Sequence, residues 1–216
     1  MSKNGMFLKK DINELSQFLK CRFIVKALVL TLSGLLLFNS LSFSAILIPS
    51  MGQMQKTSAS LGYQDTLHAF KIEYPTDWEK LQFSQGITEG PHKLVVNFLS
   101  PLRGPSETFR QYFLIETANV TSTSTFSKQE LSFLAHSFPH FTPVQIRSNS
   151  SLAGHNAYAV VFTYSDPIVG TAKAMEIWAI NGSKAYILSY HADSSDYTRY
   201  LPTIETMIKS FELIPK

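Results

Sequence analysis

Residues able to ligate a metal ion occur close together near the end of the chain. His191, Asp193 and Asp196 fall where a predicted strand ends and the last predicted helix begins. Imidazole nitrogens and carboxylate oxygens are common ligands of divalent cations. Aspartates in this position also satisfy the start of a helix without any metal. The three residues are therefore weak candidate metal ligands, with helix capping as the competing interpretation.

Other residues that could bind a metal or take part in catalysis do not form a clear motif. His136 and His140 have the i,i+4 spacing of a metal pair, but Pro139 stands between them and ends the predicted helix, so they do not share one face. Asp65 and His68 could add ligands, yet nothing in the sequence places them near His191. The chain has no phosphate loop, dinucleotide fingerprint, nucleophile elbow, CxxC or HExxH motif. We therefore predict no catalytic residue, no bound cofactor and no enzymatic activity.

The charge of the chain is unevenly distributed. The net charge is +3, but residues 50–216 contain thirteen Lys/Arg and fourteen Asp/Glu, a balance of −1. Phosphate backbones require clustered basic residues, so this balance argues against a nucleic-acid binder. The single cysteine, Cys21, lies before the domain and excludes an intramolecular disulfide.

The N-terminal part has the pattern of a membrane anchor. Ala27 to Ile48 contains 22 residues without a charge, enough for a helix to cross a hydrocarbon core of about 30 Å. Lys20, Arg22 and Lys26 precede the run and predict a cytoplasmic N-terminus. We predict a cytoplasmic stub at 1–22, a single-pass signal-anchor helix at 23–48 and a linker at 49–62. The alternative is a cleaved signal peptide with a site near Ser44 and a secreted product.

The predicted extracytoplasmic domain covers residues 63–216. Its opening stretch, Phe70 to Tyr74, alternates apolar and polar residues like a strand with one buried face, and Pro75 ends it. We expect Trp78 to fold back as a plug of the core. Aromatic residues here and at Tyr186 and Tyr190 could line a ligand groove, although core packing is the preferred interpretation. Further strands are predicted at 79–83, 93–99, 109–117, 142–148, 155–164, 171–180 and 184–191, with a turn region at 84–91.

Two helices are predicted among these strands. Ser127 and Glu130 have the spacing of a capping box that starts a helix ending at Pro139. The final helix begins between Asp196 and Leu201, with Pro202 in its first turn. Asn181 and the glycine after it predict a tight hairpin. The order of elements predicts an α+β fold, one antiparallel β-sheet flanked by helices.

Three Asn-X-Ser/Thr sequons lie in the predicted external domain, at Asn119, Asn149 and Asn181. Each falls where a turn or loop is expected. They are consistent with the predicted topology without proving it, because such short motifs also arise by chance.

The domain resembles the PsbP family, whose founding members are extrinsic lumenal subunits of photosystem II. The resemblance rests on Phe70, Tyr74, Pro75 and Trp78, and covers about residues 63–214. It also rests on the 154–164 strand, on Trp178, Tyr186 and Tyr190, and on the ending from Tyr200 to Phe211. It implies an α/β/α sandwich of the Mog/PsbP type and a non-enzymatic role. The chain differs from the founding members in its predicted anchor and in lacking a plastid transit peptide.

The sequence and the resemblance together lead to one expectation of function. We expect a membrane-anchored, non-plastid PsbP-like domain that serves as an accessory or assembly module for a protein partner in a membrane or envelope. The alternatives are a module that binds a metal ion or a small ligand, and an extrinsic subunit like those of the oxygen-evolving complex.

Overall fold

The computed structural model describes residues 59–104 and 109–215, with ten strands and two helices in that part. Among these residues, no helix has both the length and the apolar character needed to cross a membrane. The predicted stub, anchor and most of the predicted linker lie outside the described residues. The strands are β1 Ser60–Asp65, β2 Phe70–Pro75, β3 Glu79–Glu89, β4 His92–Leu99, β5 Tyr112–Asn119, β6 Thr142–Leu152, β7 His155–Asp166, β8 Gly170–Asn181, β9 Lys184–Asp193 and β10 Glu212–Leu213; the helices are α1 Thr123–Ser137 and α2 Tyr197–Ser210.

A seven-stranded antiparallel sheet forms the centre of the described domain. Its order is β3-β4-β5-β9-β8-β7-β6, so β3 and β6 are the edge strands. A second sheet, in the order β1-β2-β10, has three antiparallel strands. The α+β class is confirmed, but the single predicted sheet is in fact two, because a strand that the sequence pattern missed pairs with β2.

Two hydrophobic cores lie on opposite faces of the large sheet. One face packs against the apolar side of α1 through Phe126 and Leu134, and against Phe138, which follows the helix. The other face packs against the small sheet and α2, with Phe70 and Ile204 fully buried. Because side chains alternate between the two faces of a strand, the even and odd residues of β9 enter different cores. The result is a layered helix–sheet–helix arrangement with the small sheet beside α2.

The domain starts earlier than predicted. The compact unit begins at Ala59, and Ser60 to Gly62, predicted as linker, are the first half of β1. The sequence of β1 is small and polar and shows little apolar alternation, yet Tyr63 is buried against Phe70 and Phe98. Phe70–Pro75 is therefore the second strand rather than the first. Trp78 is buried in the core, as predicted.

The start of α1 was predicted wrongly. The helix begins at Thr123, after the N-cap position Ser122, so Ser127 and Glu130 lie inside the helix and form no capping box. Ser127 Oγ instead accepts a hydrogen bond of 3.0 Å from the Trp178 indole N–H. Glu130 is buried and contacts His92. The end of the helix before Pro139 is confirmed.

Three other local predictions need correction. Pro202 is the sixth residue of α2 rather than part of its first turn, because the helix already begins at Tyr197. β3 extends to Glu89, with a register shift between Gln82 and Ile87, so only Gly90 and Pro91 of the predicted turn at 84–91 form the turn. β6 continues to Leu152, so Asn149 lies in an exposed strand instead of a loop. The hairpin between β8 and β9 is confirmed; its positive φ angle is at Gly182.

Candidate binding groove

The structure separates the three candidate metal ligands. His191 is buried on the α1 face of the large sheet, where its ring stacks on Tyr112 and its Nδ1 lies 3.1 Å from the Tyr164 hydroxyl oxygen. Asp193 accepts hydrogen bonds from the backbone N–H and the hydroxyl of Ser195, both at 2.8 Å. Each residue therefore has a structural partner of its own.

The third candidate, Asp196, forms ion pairs with two arginines. Arg103 Nη2 lies 2.6 Å from one of its carboxylate oxygens, and Arg199 Nε lies 3.3 Å from the other. His136 contacts the Ser132 carbonyl through Nδ1, and His140 has a left-handed backbone just past the helix. In the part of the chain that the structure describes, no group of three His, Cys, Asp or Glu side chains is arranged to hold a metal.

Asp65 and His68 are brought together, but on the opposite side of the large sheet from His191. The Asp65 carboxylate accepts a hydrogen bond of 2.8 Å from the His68 backbone N–H and one from the Tyr63 hydroxyl. Burial alone would raise the pKa of Asp65, but the backbone and ring of His68, its charge and the Tyr63 hydroxyl together lower that pKa. The Tyr186 hydroxyl donates to the His68 carbonyl. This network closes the β1–β2 turn and has no metal-ligand geometry.

A buried polar cluster lies between α1 and the large sheet. His92 Nε2 is 2.8 Å from Glu130 Oε2, and His92 Nδ1 is 3.7 Å from Glu116 Oε2. On the same face, the Ser189 hydroxyl donates to Glu176. These side chains are at most 2% exposed. They attach α1 to the sheet, and their burial leaves no open surface for a substrate.

The aromatic residues proposed as a possible ligand surface belong to the core. Phe70, Tyr74, Trp78, Tyr186 and Tyr190 are all buried. The pKa values of Tyr186 and Tyr190 are raised because burial disfavours the phenolate. The preferred interpretation, core packing, is confirmed.

An open groove lies elsewhere, between α2 and the end of the large sheet formed by β6, β7 and β8. We call it the β6–α2 groove; its volume is about 310 Å³. Its floor and walls carry aliphatic or thioether side chains, partly exposed and packed on the core. The lining residues are Val144, Gln145 and Arg147 of β6, Ala159 and Val161 of β7, Lys173 and Met175 of β8, and Tyr197, Thr198, Leu201 and Glu205 of α2.

The strand pairing shows why these residues share one face. Gln145 pairs with Val161 and Arg147 pairs with Ala159, while Val161 pairs with Met175 on its other side. Residues directly opposite in an antiparallel sheet point to the same face. β6 is the edge strand and is exposed along nearly its whole length, so nothing in the described domain covers this end of the groove.

The groove is basic at two points. Lys173 places its Nζ 4.6 Å from the centre of the Tyr197 ring, a cation–π contact. Among the described residues, neither Lys173 nor Arg147 has an ion-pair partner. Burial and, to a smaller extent, the nearby Glu205 carboxylate raise the pKa of Tyr197 to about 12, so this ring stays neutral at physiological pH. With Glu205 on α2, the lining has one net positive charge.

Sequence reasoning did not identify this groove. One signal was present: Lys173 occupies the same face of β8 as Met175, Ile177 and Ala179, which all face the second core. A lysine at such a position predicts an opening where its ammonium group can reach solvent. The other half of the groove depends on α2, whose position against the sheet has no local sequence signature.

Comparisons with known proteins relate the chain to others by fold. No family model and no curated protein matches the sequence. The solved structure of cyanobacterial PsbP from Synechocystis matches with a TM-score of 0.52 and 12% identity over 76% of this chain and 98% of that one. A Pseudomonas aeruginosa protein of unknown function matches with 0.48 and 15% identity, over 73% and 97% of the two chains. LpqN of Mycobacterium tuberculosis, which is involved in cell envelope biogenesis, matches with 0.46 and 11% identity, over 74% and 88%.

Identities this low establish likeness of fold and nothing about activity. The last two matches have TM-scores below 0.5 and do not by themselves establish a shared fold. The match to cyanobacterial PsbP agrees with the resemblance seen in the sequence motifs. The described domain therefore has a PsbP-like fold.

Proposed function

We propose that the domain is a non-enzymatic accessory module that binds a protein partner through the β6–α2 groove. The observation that carries this proposal is the groove itself: an open, apolar floor with charged residues at its rim, beside an exposed edge strand. Protein–protein interfaces commonly combine an apolar centre with a polar, solvent-accessible rim. The lining offers two cations, one carboxylate and aliphatic surface, which suit recognition better than bond cleavage.

The exposed apolar residues of β6 support the same conclusion. Val144 is 57% exposed at the groove, and Ile146 is 48% exposed on the opposite face of the strand. Edge strands with exposed apolar residues tend to associate with other chains. Pro143 and two register shifts interrupt the regular hydrogen-bonding edge of β6. They disfavour non-specific pairing of β6 with strands of other chains and leave the groove accessible.

The experiment is site-specific photo-crosslinking in cells that produce the full chain. A benzoylphenylalanine at Thr198, in the groove, should give one discrete protein adduct, whereas the same group at Asn181, at the far hairpin, should give none. Ala159→Trp, which fills the groove floor, should abolish the adduct. Ile146→Trp, on the other face of the neighbouring strand, should retain it, and thermal melts should show that both variants fold. Equal adducts from Thr198 and Asn181, or no loss with Ala159→Trp, would contradict the proposal.

The proposal includes the membrane tether predicted from residues 23–48. A tethered module acts at high effective concentration on partners in the same membrane. The full chain should sediment with membranes and resist carbonate extraction, with an intact mass that includes residues 1–44. Leu35→Arg combined with Leu36→Arg should release it into the soluble fraction. A mature product that begins near Ser44 would contradict the membrane anchor and support a cleaved signal peptide with a secreted domain.

A further inference from the structure

The chemistry of the groove also indicates what its occupant looks like. We propose that the β6–α2 groove binds an extended acidic segment of the partner, with an aliphatic residue between two carboxylates spaced i and i+4. This inference rests on the proposed function and specifies the partner's chemistry. It comes from the positions of Arg147, Lys173 and the apolar floor between them.

The strand register fixes the separation of the two cations. Lys173 pairs with Thr163 and Arg147 pairs with Ala159, so the cations are two strands and four residues apart, with Val161 in the middle. With about 4.8 Å between strands and about 3.4 Å per residue, their Cα atoms are about 17 Å apart. Both side chains are long enough to close part of this distance.

An extended peptide matches this arrangement. Its side chains at i, i+2 and i+4 point to one face, and the outer two Cα atoms are about 14 Å apart. Acidic residues at i and i+4 would meet Arg147 and Lys173, while an aliphatic residue at i+2 would lie on Val161 and its neighbours. A helical segment is a poorer match, because its i and i+4 residues are only about 6 Å apart.

Charge in the groove supports an acidic occupant. Neither Arg147 nor Lys173 forms an ion pair with any described residue, and the ring beneath Lys173 is neutral. Glu205 works in the opposite direction, since its carboxylate raises the pKa of Tyr197 and would repel an acid placed nearby. The proposal therefore predicts opposite effects for changes at the cations and at Glu205.

The probe is a fluorescein-labelled, end-capped peptide, Ser-Thr-Glu-Thr-Leu-Thr-Glu-Thr-Ser, titrated by anisotropy with the full chain in mild detergent. We expect saturable binding that weakens about three- to tenfold with Arg147→Glu or Lys173→Glu and strengthens about twofold with Glu205→Gln. A peptide with lysines in place of both glutamates, and one with the two glutamates adjacent, should bind at least fivefold more weakly. Higher salt should weaken the glutamate peptide.

Several results would overturn the inference. Equal binding of the lysine peptide, no effect of either charge reversal, or no binding at millimolar peptide would each do so. If decanoate binds and Arg147→Glu weakens that binding as well, the occupant of the groove would be a small apolar acid instead of a peptide. A concentration-dependent dimer broken by Ala159→Trp would point to a second copy of the chain. Any of these could occur while the Thr198 crosslink persists, so the inference can fail while the proposed function stands.

Discussion

His92 Nε2 on β4 lies 2.8 Å from Glu130 Oε2 on α1, and both side chains are no more than 2% exposed. The pair crosses from the sheet to the helix that covers it. Phe133, one turn along the same helix, packs edge-on against the His92 imidazole, with 4.4 Å between the two ring centres. The interaction therefore sets where α1 sits along the sheet.

Removing the carboxylate of this pair should destabilise the fold. Removing one partner of a buried hydrogen bond leaves the other desolvated and unsatisfied, which costs about 1–3 kcal/mol, and the lost packing adds to this. We expect Glu130→Ala to lower the free energy of unfolding by about 3 kcal/mol in urea titrations. Gln129→Ala, on the exposed side of the same helix, is the matched control and should stay within about 0.5 kcal/mol. A Glu130 variant as stable as that control would show that the pair contributes little.

The acid limb of the stability profile should depend on Asp65. Its pKa is lowered in the folded domain, so the ionised carboxylate stabilises the fold above the ordinary aspartate pKa of about 3.9. That contribution is lost as the pH falls through the lowered folded-state pKa. The stability difference between the natural chain and Asp65→Asn should be constant from about pH 7 to pH 5 and shrink below about pH 4. Asp77→Asn, at an exposed turn, is the control variant in the same denaturant series.

Trp78 should behave as a core residue. It is 5% exposed and packs edge-on against Tyr200 of α2 at 5.8 Å. Trp78→Ala should cost about 3–5 kcal/mol through lost burial and the cavity left behind. Leu67→Ala, at a side chain that is 61% exposed, is the control and should be nearly neutral. Equal midpoints for the two variants in guanidinium titrations would contradict the core assignment.

Two glycines with left-handed backbones provide a matched pair. Gly90 and Gly154 have φ angles of 58° and 77°, so alanine at either position costs about 1–2 kcal/mol in backbone strain. A Cβ on Gly154 would meet open space, whereas one on Gly90 would lie 3.0 Å from the Phe133 ring. Gly90→Ala should therefore be the more destabilising of the two in thermal melts. Equal melting temperatures for the two variants, or the reverse order, would contradict a steric cost from the Phe133 ring.

Local sequence rules located many of the elements of the described domain but misread two of its helix positions. The spacing of Ser127 and Glu130 matched a helix start, yet both side chains bond to the sheet across the first core. A capping box and a buried polar contact use the same residue types. Only the tertiary packing decides which role they take.

The weak candidate metal ligands illustrate the same limit. His191, Asp193 and Asp196 lie within six residues of sequence, but His191 points inward toward Tyr164 at the end of β9, while Asp196 pairs with two arginines. Proximity along a chain does not determine side-chain direction, because residues of a strand alternate between faces and a turn redirects those that follow. The sequence had left helix capping open as the competing interpretation.

The sequence by itself determined the α+β class, the PsbP-like motifs, the β8–β9 hairpin, the end of α1 and the burial of Trp78. These follow from local patterns: period-2 alternation, proline as a helix stop, glycine in a tight turn and large aromatic side chains that favour burial. Only the tertiary structure decided that β1 makes a second sheet, that Glu130 pairs with His92, and that Arg147 and Lys173 flank one groove. Those features join residues distant in sequence, and their free energy comes from contacts that no local window contains.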